Sequence, residues 1–579
     1  VIALSDLNSV APAEFIAALG GVFEQSSWVA ERVVSLRPFD SRVTLHQAMC
    51  AAVRRASADE QLALIRAHPE LGGESAARGE LTVASTREQK GAGLADCTAD
   101  DLARIRTLNA QYQQRFGFPF VLAVKGHNTA SIIAALERRV GHQDAQERAA
   151  ALDQIGRIAG FRLTDLVDEP LGTQIMAMTA RLAQFSEQDR ALTCSYLTPA
   201  HRQTAEQIRD WMLAAGLTTH VDAVGNVVGR LAAASSESRT LITGSHYDTV
   251  VNAGRYDGRL GIVLPIAVVE RLRRAGVALP VALEIVAFAE EEGVRFKSTF
   301  LGSGAVAGRF DPTLLDSRDA DGISMREAML SAGLDPGAIE AASRARAEVA
   351  GFIEVHIEQG PVLLSDNLPL GVVTSIAGST RALVTIIGEA GHAGTVPMHL
   401  RRDAAAAAAE IVLFVEARCG SAEGLVGTVG RLNVPDGAVN VIPGRCELTL
   451  DIRSGDDALR RDAFDTVIAE CQRIASRRKV QIQSRKVLEI DAVACDARMQ
   501  AQCSASIARV TGVSEPRRLP SGAGHDAMMM ASVAPMGMMF VRCGNGGISH
   551  NPAESLDPAD AELAARAFQD FLTHFSLQA

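Results

Sequence analysis

Four apolar runs in this chain end in clusters of His, Asp and Glu, and that recurrence constrains the fold more than any other feature. Leu241-Ile242 leads into Gly244-Ser-His246-Tyr-Asp248, and Asp257-Gly258 follows just before a segment rich in Leu, Ile and Val. Residues 281–289 discharge into Glu290-Glu291-Glu292-Gly293, and Phe352-Ile-Glu-Val-His356-Ile-Glu-Gln359 alternates as a strand should. Met538-Met-Phe-Val-Arg-Cys runs into Gly544-Asn-Gly-Gly-Ile-Ser-His550-Asn-Pro. An α/β sheet presents ligands at the carboxyl ends of its strands, and a strand ending in His and Asp with a second Asp opening a helix is a way to hold a cation there. Asp257 is placed to bridge two ions. Three adjacent carboxylates repel one another, a repulsion that divalent cations relieve; a solvated acidic turn is the alternative, and it would not ordinarily follow so apolar a strand.

These segments carry a resemblance. GSHYDT, DGRLG, EEEGVRF, HIEQGP, GHAGTVPM, VNVIPG with DIRS, GAGHDA and ISHNPAE, in that order from near Ile175 to the C-terminus, resemble the motif series of the metal-dependent amidohydrolases in the M20 peptidase superfamily, in particular the branch of allantoate amidohydrolases and N-carbamoyl-L-amino-acid hydrolases. The resemblance implies an α/β hydrolase domain with two divalent ions, one held by His246, Asp257 and His356 and the other by Asp257, Glu292 and His550. Ligands of mixed imidazole and carboxylate suit Zn²⁺, Mn²⁺ or Co²⁺ alike. Asp248 is then the carboxylate that fixes the tautomer of His246, and Glu291 the base that takes a proton from the attacking water. The resemblance further implies substrate contacts from Gln359, Asn440, Arg453 and His525, and an oxyanion-stabilising His392. Val396 stands where those relatives usually carry a second Thr, a difference in packing beside His392.

Helical spacing of apolar residues recurs through the first part of the chain, from Ser9 and over residues 43–55, 59–67, 99–116, 130–139 and 143–166. The loops between hold His68-Pro69-Glu70-Leu71-Gly-Gly, Ser85-Thr-Arg-Glu88-Gln89 and Phe116-Gly-Phe-Pro119-Phe-Val. A residue before Pro is kept out of the helical region, so His68 sits on a stiff loop; an isolated His-Pro pair is otherwise a helix-capping arrangement. With Phe23-Glu-Gln-Ser-Ser-Trp28 and Ile158-Ala-Gly-Phe-Arg162-Leu, these segments resemble the 2-oxo-4-hydroxy-4-carboxy-5-ureidoimidazoline (OHCU) decarboxylases of ureide formation from urate. That resemblance implies an all-helical domain over 1–168 with His68 as acid/base, Glu88 orienting it or sharing its proton, Ser85 and Gln89 bonding the substrate, and Arg162 meeting an anionic group. It implies no cofactor, because the carbanion left by loss of carboxylate is delocalised into the adjacent carbonyl before a positioned acid protonates it. Trp28 reads as core rather than catalytic.

Pro170 and Gly172 predict a helix stop and a very short linker. The hydrolase would occupy 175–377 and 489–579. Between these, residues 378–488 predict strand, helix, two strands, helix and strand, a ferredoxin-like α+β insert that in the resembling family is the lid and dimerisation domain. A homodimer or larger assembly is expected through it.

At 579 residues the chain exceeds one core, and at roughly 150 residues per domain three or four are expected. The formal charge of −11 and the lack of a basic block exclude the clustered cations that nucleic-acid binding needs. No apolar run approaches the roughly 18 residues of a membrane span, and no basic segment with an apolar core opens the sequence. Nine cysteines without a CxxC pair fit reduced thiols in a cytoplasm. Three functions are weighed. The first is a bifunctional ureide enzyme making (S)-allantoin from OHCU and hydrolysing allantoate; the second keeps the decarboxylase but gives the rear half to N-carbamoyl amino acids or peptides; in the third, one half is a non-catalytic scaffold. Neither motif set lacks a residue its chemistry needs, which disfavours the third.

Overall fold

The computed structural model describes residues 1–71, 97–233 and 239–577. They divide into two compact units: one holds residues 1–350, 355–369 and 541–578, the other residues 351–354 and 370–540.

The first unit opens with helices whose starts are written into the sequence. Ser41, Ser57 and Asn128 each cap a helix with a reciprocal side-chain bond, starting Arg42–Arg55, Ala58–Ala67 and Thr129–Val140; such caps contribute about 1 kcal/mol each. Ala99–Phe116 and Asp144–Leu166 complete the set. Their apolar faces share one core that includes Phe15, Leu45, Met49, Ile65, Tyr112, Leu136, Ile155 and Leu163. Two details differ from expectation. Ser9 ends a short helix, Leu4–Ser9, and the next begins at Pro12 after Ala11. A two-residue parallel ladder, Ile2–Ala3 with Val167–Asp168, brings the two ends of this region together.

The helix stop predicted at Pro170 and Gly172 is present, since Asp144–Leu166 ends ahead of Pro170, but the next helix, Leu171–Leu182, begins at once and takes in Gly172. Gly172 serves packing instead. A Cβ on it would lie 2.1 Å from the Pro558 carbonyl oxygen, so only glycine lets this helix approach the helix Pro558–His574, and the Gly172 N–H donates to Glu562 (2.7 Å).

Beyond the junction, Thr240–His246 and Ala282–Phe288 pair in parallel, and Val227–Leu231 pairs antiparallel to the latter. Both central strands are buried along their whole length, which is why they read as continuous apolar runs rather than as alternation. The helix Leu260–Arg274 starts three residues after Asp257. Its far end meets the helical region. Arg42 donates from both Nη atoms to Glu270 (2.8 and 2.8 Å), Gln174 donates to the same carboxylate (2.9 Å), and Arg274 pairs with Glu270 (3.0 Å) and Asp168 (3.0 Å).

In the second unit, Gly378–Ile387 lies between Arg445–Ser454 and Gln481–Ile490, antiparallel to both, and Leu425–Thr428 pairs with the outer side of Arg445–Ser454. With the helices Ala404–Gly420 and Asp457–Arg478 the element order is βαββαβ, and in space the strands run second, third, first, fourth. Alternation decides the faces: Ala382, Val384, Leu448, Leu450 and Ile452 pack under the helices with Ala407, Ile411 and Val467, while Arg381, Thr449, Asp451 and Arg453 occupy the other face.

Candidate functional site

Carboxylates and imidazoles from all four apolar-run exits converge in the first unit. Donor atoms of His246, Asp257 and His356 lie within 4.8 Å of one another, as do those of Asp257, Glu292 and His550, and those of His246, Glu291 and Glu292. Asp257 belongs to two of the sets. Its Oδ1 is 3.2 Å from His356 Nε2 and 3.7 Å from His246 Nε2, and its Oδ2 is 3.0 Å from His550 Nε2.

The hydrogen bonds fix which nitrogen offers a lone pair. His356 Nδ1 faces the Ile357 carbonyl (2.8 Å) and His246 Nδ1 the Asp248 carbonyl (3.2 Å). A carbonyl only accepts, so both Nδ1 atoms carry hydrogen. The Gly258 N–H donates to His356 Nε2 (3.1 Å), leaving that lone pair against the Asp257 carboxylate with no hydrogen between them. Acceptors in contact inside a buried site call for a cation, and this donor set of imidazole nitrogens and carboxylate oxygens fits a pair of divalent ions. The electrostatics agree. Burial works to raise Asp257, yet the imidazoles of His246, His356 and His550 beside it hold it well below the carboxylate range. Burial pushes Glu292 up to about 7, and the bond to Asp257 raises His550 to about 9.

The supporting contacts are equally specific. Asp248 accepts from the Glu291 N–H and the Glu292 N–H (3.1 and 3.1 Å) and lies 3.3 Å from His246 Nδ1, so one carboxylate sets both the acidic turn and the imidazole. A Cβ at residue 258, where φ is +66°, would strike the His246 ring at 2.5 Å. Gln359, expected to bind substrate, donates from Nε2 to Asp257 Oδ2 (2.8 Å). Two contributors were not singled out from the sequence: Ser549 Oγ lies 3.0 Å from Asp257 Oδ2 and 2.9 Å from Glu554 Oε2, and Glu554 Oε1 accepts from the Tyr256 N–H (2.7 Å). Both stand in the quoted ISHNPAE motif. Their signal was a polar residue on each side of His550.

In the helical region His68 is buried and extended at the end of Ala58–Ala67, with Nδ1 on the Leu64 carbonyl (3.0 Å). Burial, with the charge of Arg162, lowers its pKa below 6.5, against the Leu64 bond and Glu24. Arg162 pairs with the buried Glu24 (2.9 Å), a residue of the quoted FEQSSW segment to which sequence reading gave no role. Trp28 is half-buried with Arg32 over its ring (4.4 Å). Ser85, Glu88 and Gln89 lie outside the described residues.

In the second unit, His392 is exposed and its Nδ1 accepts the Gly394 N–H (3.0 Å). Asn440 is its neighbour, its carbonyl accepting the Ala393 N–H (2.9 Å). Arg453 pairs with Asp451 (2.9 Å). His525 is buried, with Nε2 on Ser521 Oγ (2.7 Å) and its ring 6.0 Å from Phe540.

Residues 242–574 match the family model of peptidase family M20/M25/M40. The chain belongs to that family. Ahead of the M20 region, residues 8–164 match the OHCU decarboxylase model, so a decarboxylase domain and an amidohydrolase-type domain share one polypeptide. An allantoate deiminase of Arabidopsis thaliana is 39% identical over 447 residues, spanning 72% of this chain and 85% of that protein. An N-carbamoyl-L-amino acid amidohydrolase of Geobacillus stearothermophilus is also 39% identical, over 64% of this chain and 89% of its own length. Among solved structures of M20-type proteins, a hydantoinase/carbamoylase-family amidase from Burkholderia multivorans superposes with a TM-score of 0.65 at 31% identity, covering 69% of this chain and 97% of the amidase.

Proposed function

We propose that the chain is a bifunctional ureide enzyme that decarboxylates OHCU to (S)-allantoin and hydrolyses allantoate to ureidoglycine, ammonia and carbon dioxide. The observation that carries the substrate is the fusion: a decarboxylase region of the kind that makes allantoin is joined to an M20 hydrolase, and allantoate is one ring opening from allantoin. Similarity of the hydrolase half does not choose, since an allantoate deiminase and an N-carbamoyl-L-amino acid amidohydrolase are equally identical to it. The second reading therefore gives that half an N-carbamoyl amino acid. Competitive assays decide between them. Allantoate should be preferred at least about tenfold in kcat/KM, about 1.4 kcal/mol of transition-state binding; preference for a one-armed N-carbamoyl amino acid would move the assignment to the second reading.

His246, Asp257 and His356 would hold one divalent ion, and Asp257, Glu292 and His550 the other, as Zn²⁺, Mn²⁺ or Co²⁺. Bound there, the ions supply Lewis acidity toward a ureido carbonyl and toward water. The protein's own groups do the rest. Glu291 takes a proton from the attacking water and returns it to the departing nitrogen, Asp248 keeps His246 in its ligating tautomer, and Gln359 steadies the shared carboxylate while its Oε1 is left to a ligand. The βαββαβ insert is a ferredoxin-like lid that dimerises; the exposed apolar residues Met398, Leu400, Leu413 and Val439 support a covered surface there. His392 donates to the developing oxyanion, and Asn440, Arg453 and His525 line the substrate.

In the helical half, His68 exchanges the proton at the decarboxylating carbon, Arg162 receives an anionic group of the substrate, and Glu88, Ser85 and Gln89 keep the roles the resemblance implies. No helix among the described residues is long and apolar enough to cross a membrane. Among the described residues no cysteine is joined in a disulfide, which supports a reducing, cytoplasmic setting.

A further inference from the structure

The acidic turn that carries Glu291 and Glu292 begins where the sheet stops. Register pairs Ala287 with Val227, the first residue of its strand, and Phe288 with His246, the last of its own. Ala289 is therefore the first residue past the ladder. It is fully buried, and a buried peptide group without a strand partner has to find one elsewhere. Two side chains supply it. The Ala289 N–H donates to Asn226 Oδ1 (2.9 Å), and the Ala289 carbonyl lies 2.7 Å from His201 Nε2.

Each of the two is itself held. Asn226 Nδ2 donates to Asp222 Oδ2 (2.8 Å) and to the Gly302 carbonyl (3.1 Å), and the Asn226 N–H donates to Asp222 Oδ1 (2.9 Å), which leaves the amide one orientation. A Cβ on Gly302 would lie 2.4 Å from Asn226 Oδ1, so this approach needs glycine. His201 comes from the helix Pro199–Ala214 and stacks on Tyr247 with ring centroids 4.3 Å apart. A carbonyl only accepts, so His201 Nε2 carries the hydrogen, and burial holds the imidazole down at about 4, neutral at physiological pH. Further along the turn, Asp248 takes the Glu291 N–H and the Glu292 N–H (3.1 and 3.1 Å), and the Glu291 carbonyl accepts the Phe300 N–H (3.3 Å). The backbone is pinned at both ends of the stretch from which the two carboxylates are aimed.

We propose that His201 and Asn226 are positioning residues of the hydrolase: by holding the two peptide groups of Ala289 they set where Glu291 and Glu292 stand relative to His246, Asp257 and His550. A metal site accepts its ligands only within roughly 0.2 Å of their proper distances, so a bond lost at Ala289 is felt three residues on. The inference rests on the reading of Glu291 as base and Glu292 as metal ligand.

The test uses the full-length protein. Mn²⁺ is titrated calorimetrically into chelator-treated chains, ureide hydrolysis is measured after metal loading, and OHCU decarboxylation by the same chain serves as the control for folding. His201→Phe keeps a ring against Tyr247 and removes the N–H. Its weaker Mn²⁺ dissociation constant should rise about tenfold or more and its kcat fall by a similar factor, with KM within about threefold and decarboxylation unchanged. Asn226→Ala removes the acceptor on the other side of the peptide and should repeat that pattern. His201→Gln keeps an N–H donor without the ring and should stay within about threefold of the parent in both Mn²⁺ binding and kcat. Ring packing alone predicts the reverse order, with Phe retained and Gln impaired, and that order would overturn the proposal. So would parent-like Mn²⁺ binding and kcat in His201→Phe, or a loss of decarboxylation as large as that of hydrolysis. If His201→Phe does not fold, a soluble His201→Gln with tenfold weaker Mn²⁺ binding overturns it alone. A parent that binds no Mn²⁺ and hydrolyses ureides without metal removes the reading of the acidic turn, and the proposal with it, whatever the variants do.

Discussion

Arg42 and Glu270, 228 positions apart, face each other with two parallel N–H···O bonds of 2.8 Å inside the seam between the helical region and the hydrolase. Both side chains are almost fully buried, at 10% and 7% exposure. Removing one partner of such a pair leaves the other charged and desolvated, at a cost of about 3–5 kcal/mol. Arg42→Ala should fall at the low end, about 3 kcal/mol by chemical denaturation, because Arg274 and Gln174 still reach Glu270. Arg42→Met with Glu270→Leu should recover much of it, and an additive loss in the double variant would show that the pair is not coupled.

The hydrolase should depend on divalent metal and the decarboxylase should not. Asp257→Asn weakens both ligand sets and Glu291→Gln removes the base, so each should lower ureide hydrolysis by at least about a hundredfold while OHCU decarboxylation persists. Metal content per chain, read by elemental analysis, should drop in Asp257→Asn and hold in Glu291→Gln. Unchanged hydrolysis after complete chelation would sink the ligand assignment.

His68→Ala should abolish decarboxylation and leave hydrolysis intact. Its pH dependence has a definite sign. Burial and Arg162 lower the folded-state pKa below the ordinary 6.5, so between that lowered value and 6.5 the unfolded chain binds a proton that the folded chain refuses. Stability should decline as pH falls through that window. The acidic limb of kcat/KM for decarboxylation should likewise lie below 6.5, and a limb above 6.5 would contradict a buried, neutral His68.

If His392 acts in the site of a neighbouring subunit, co-expressed Glu291→Gln and His392→Ala chains should regain part of the hydrolase activity in mixed dimers. Subunit mixing is checked by differently tagged chains. No recovery in confirmed mixed dimers places His392 in its own subunit's site.

What could be read from residue order and what could not divides along a physical line. His246, Glu292, His356 and His550 were visible because each follows an apolar run, and Asp257 because it stands just ahead of one; a buried element that borders on a ligand-type residue leaves a local signature. The helices of residues 42–55, 58–67 and 99–116 were visible in the spacing of their apolar residues, and the structure adds a capping side chain at the start of each, Ser41, Ser57 and Thr98. The Arg42–Glu270 pair was not, since nothing within a few residues of either side chain specifies a partner in another domain. Gly172 misled only about where the next helix begins, for a related reason. Glycine stops helices often, but here it admits the helix Pro558–His574, a neighbour that the local sequence does not reveal.

The contact at Gly172 also sets an order of events during synthesis. The helix Leu171–Leu182 is translated just after the helical region is complete, yet the group that accepts its Gly172 N–H belongs to Glu562, 390 residues later. At roughly 5–20 residues per second, that is a delay of tens of seconds. The decarboxylase region can therefore fold on the ribosome with the junction helix still lacking its neighbour, whereas the hydrolase closes only when the last helix emerges. A ribosome-stalled chain ending before residue 558 should accordingly decarboxylate while its hydrolase remains unfinished.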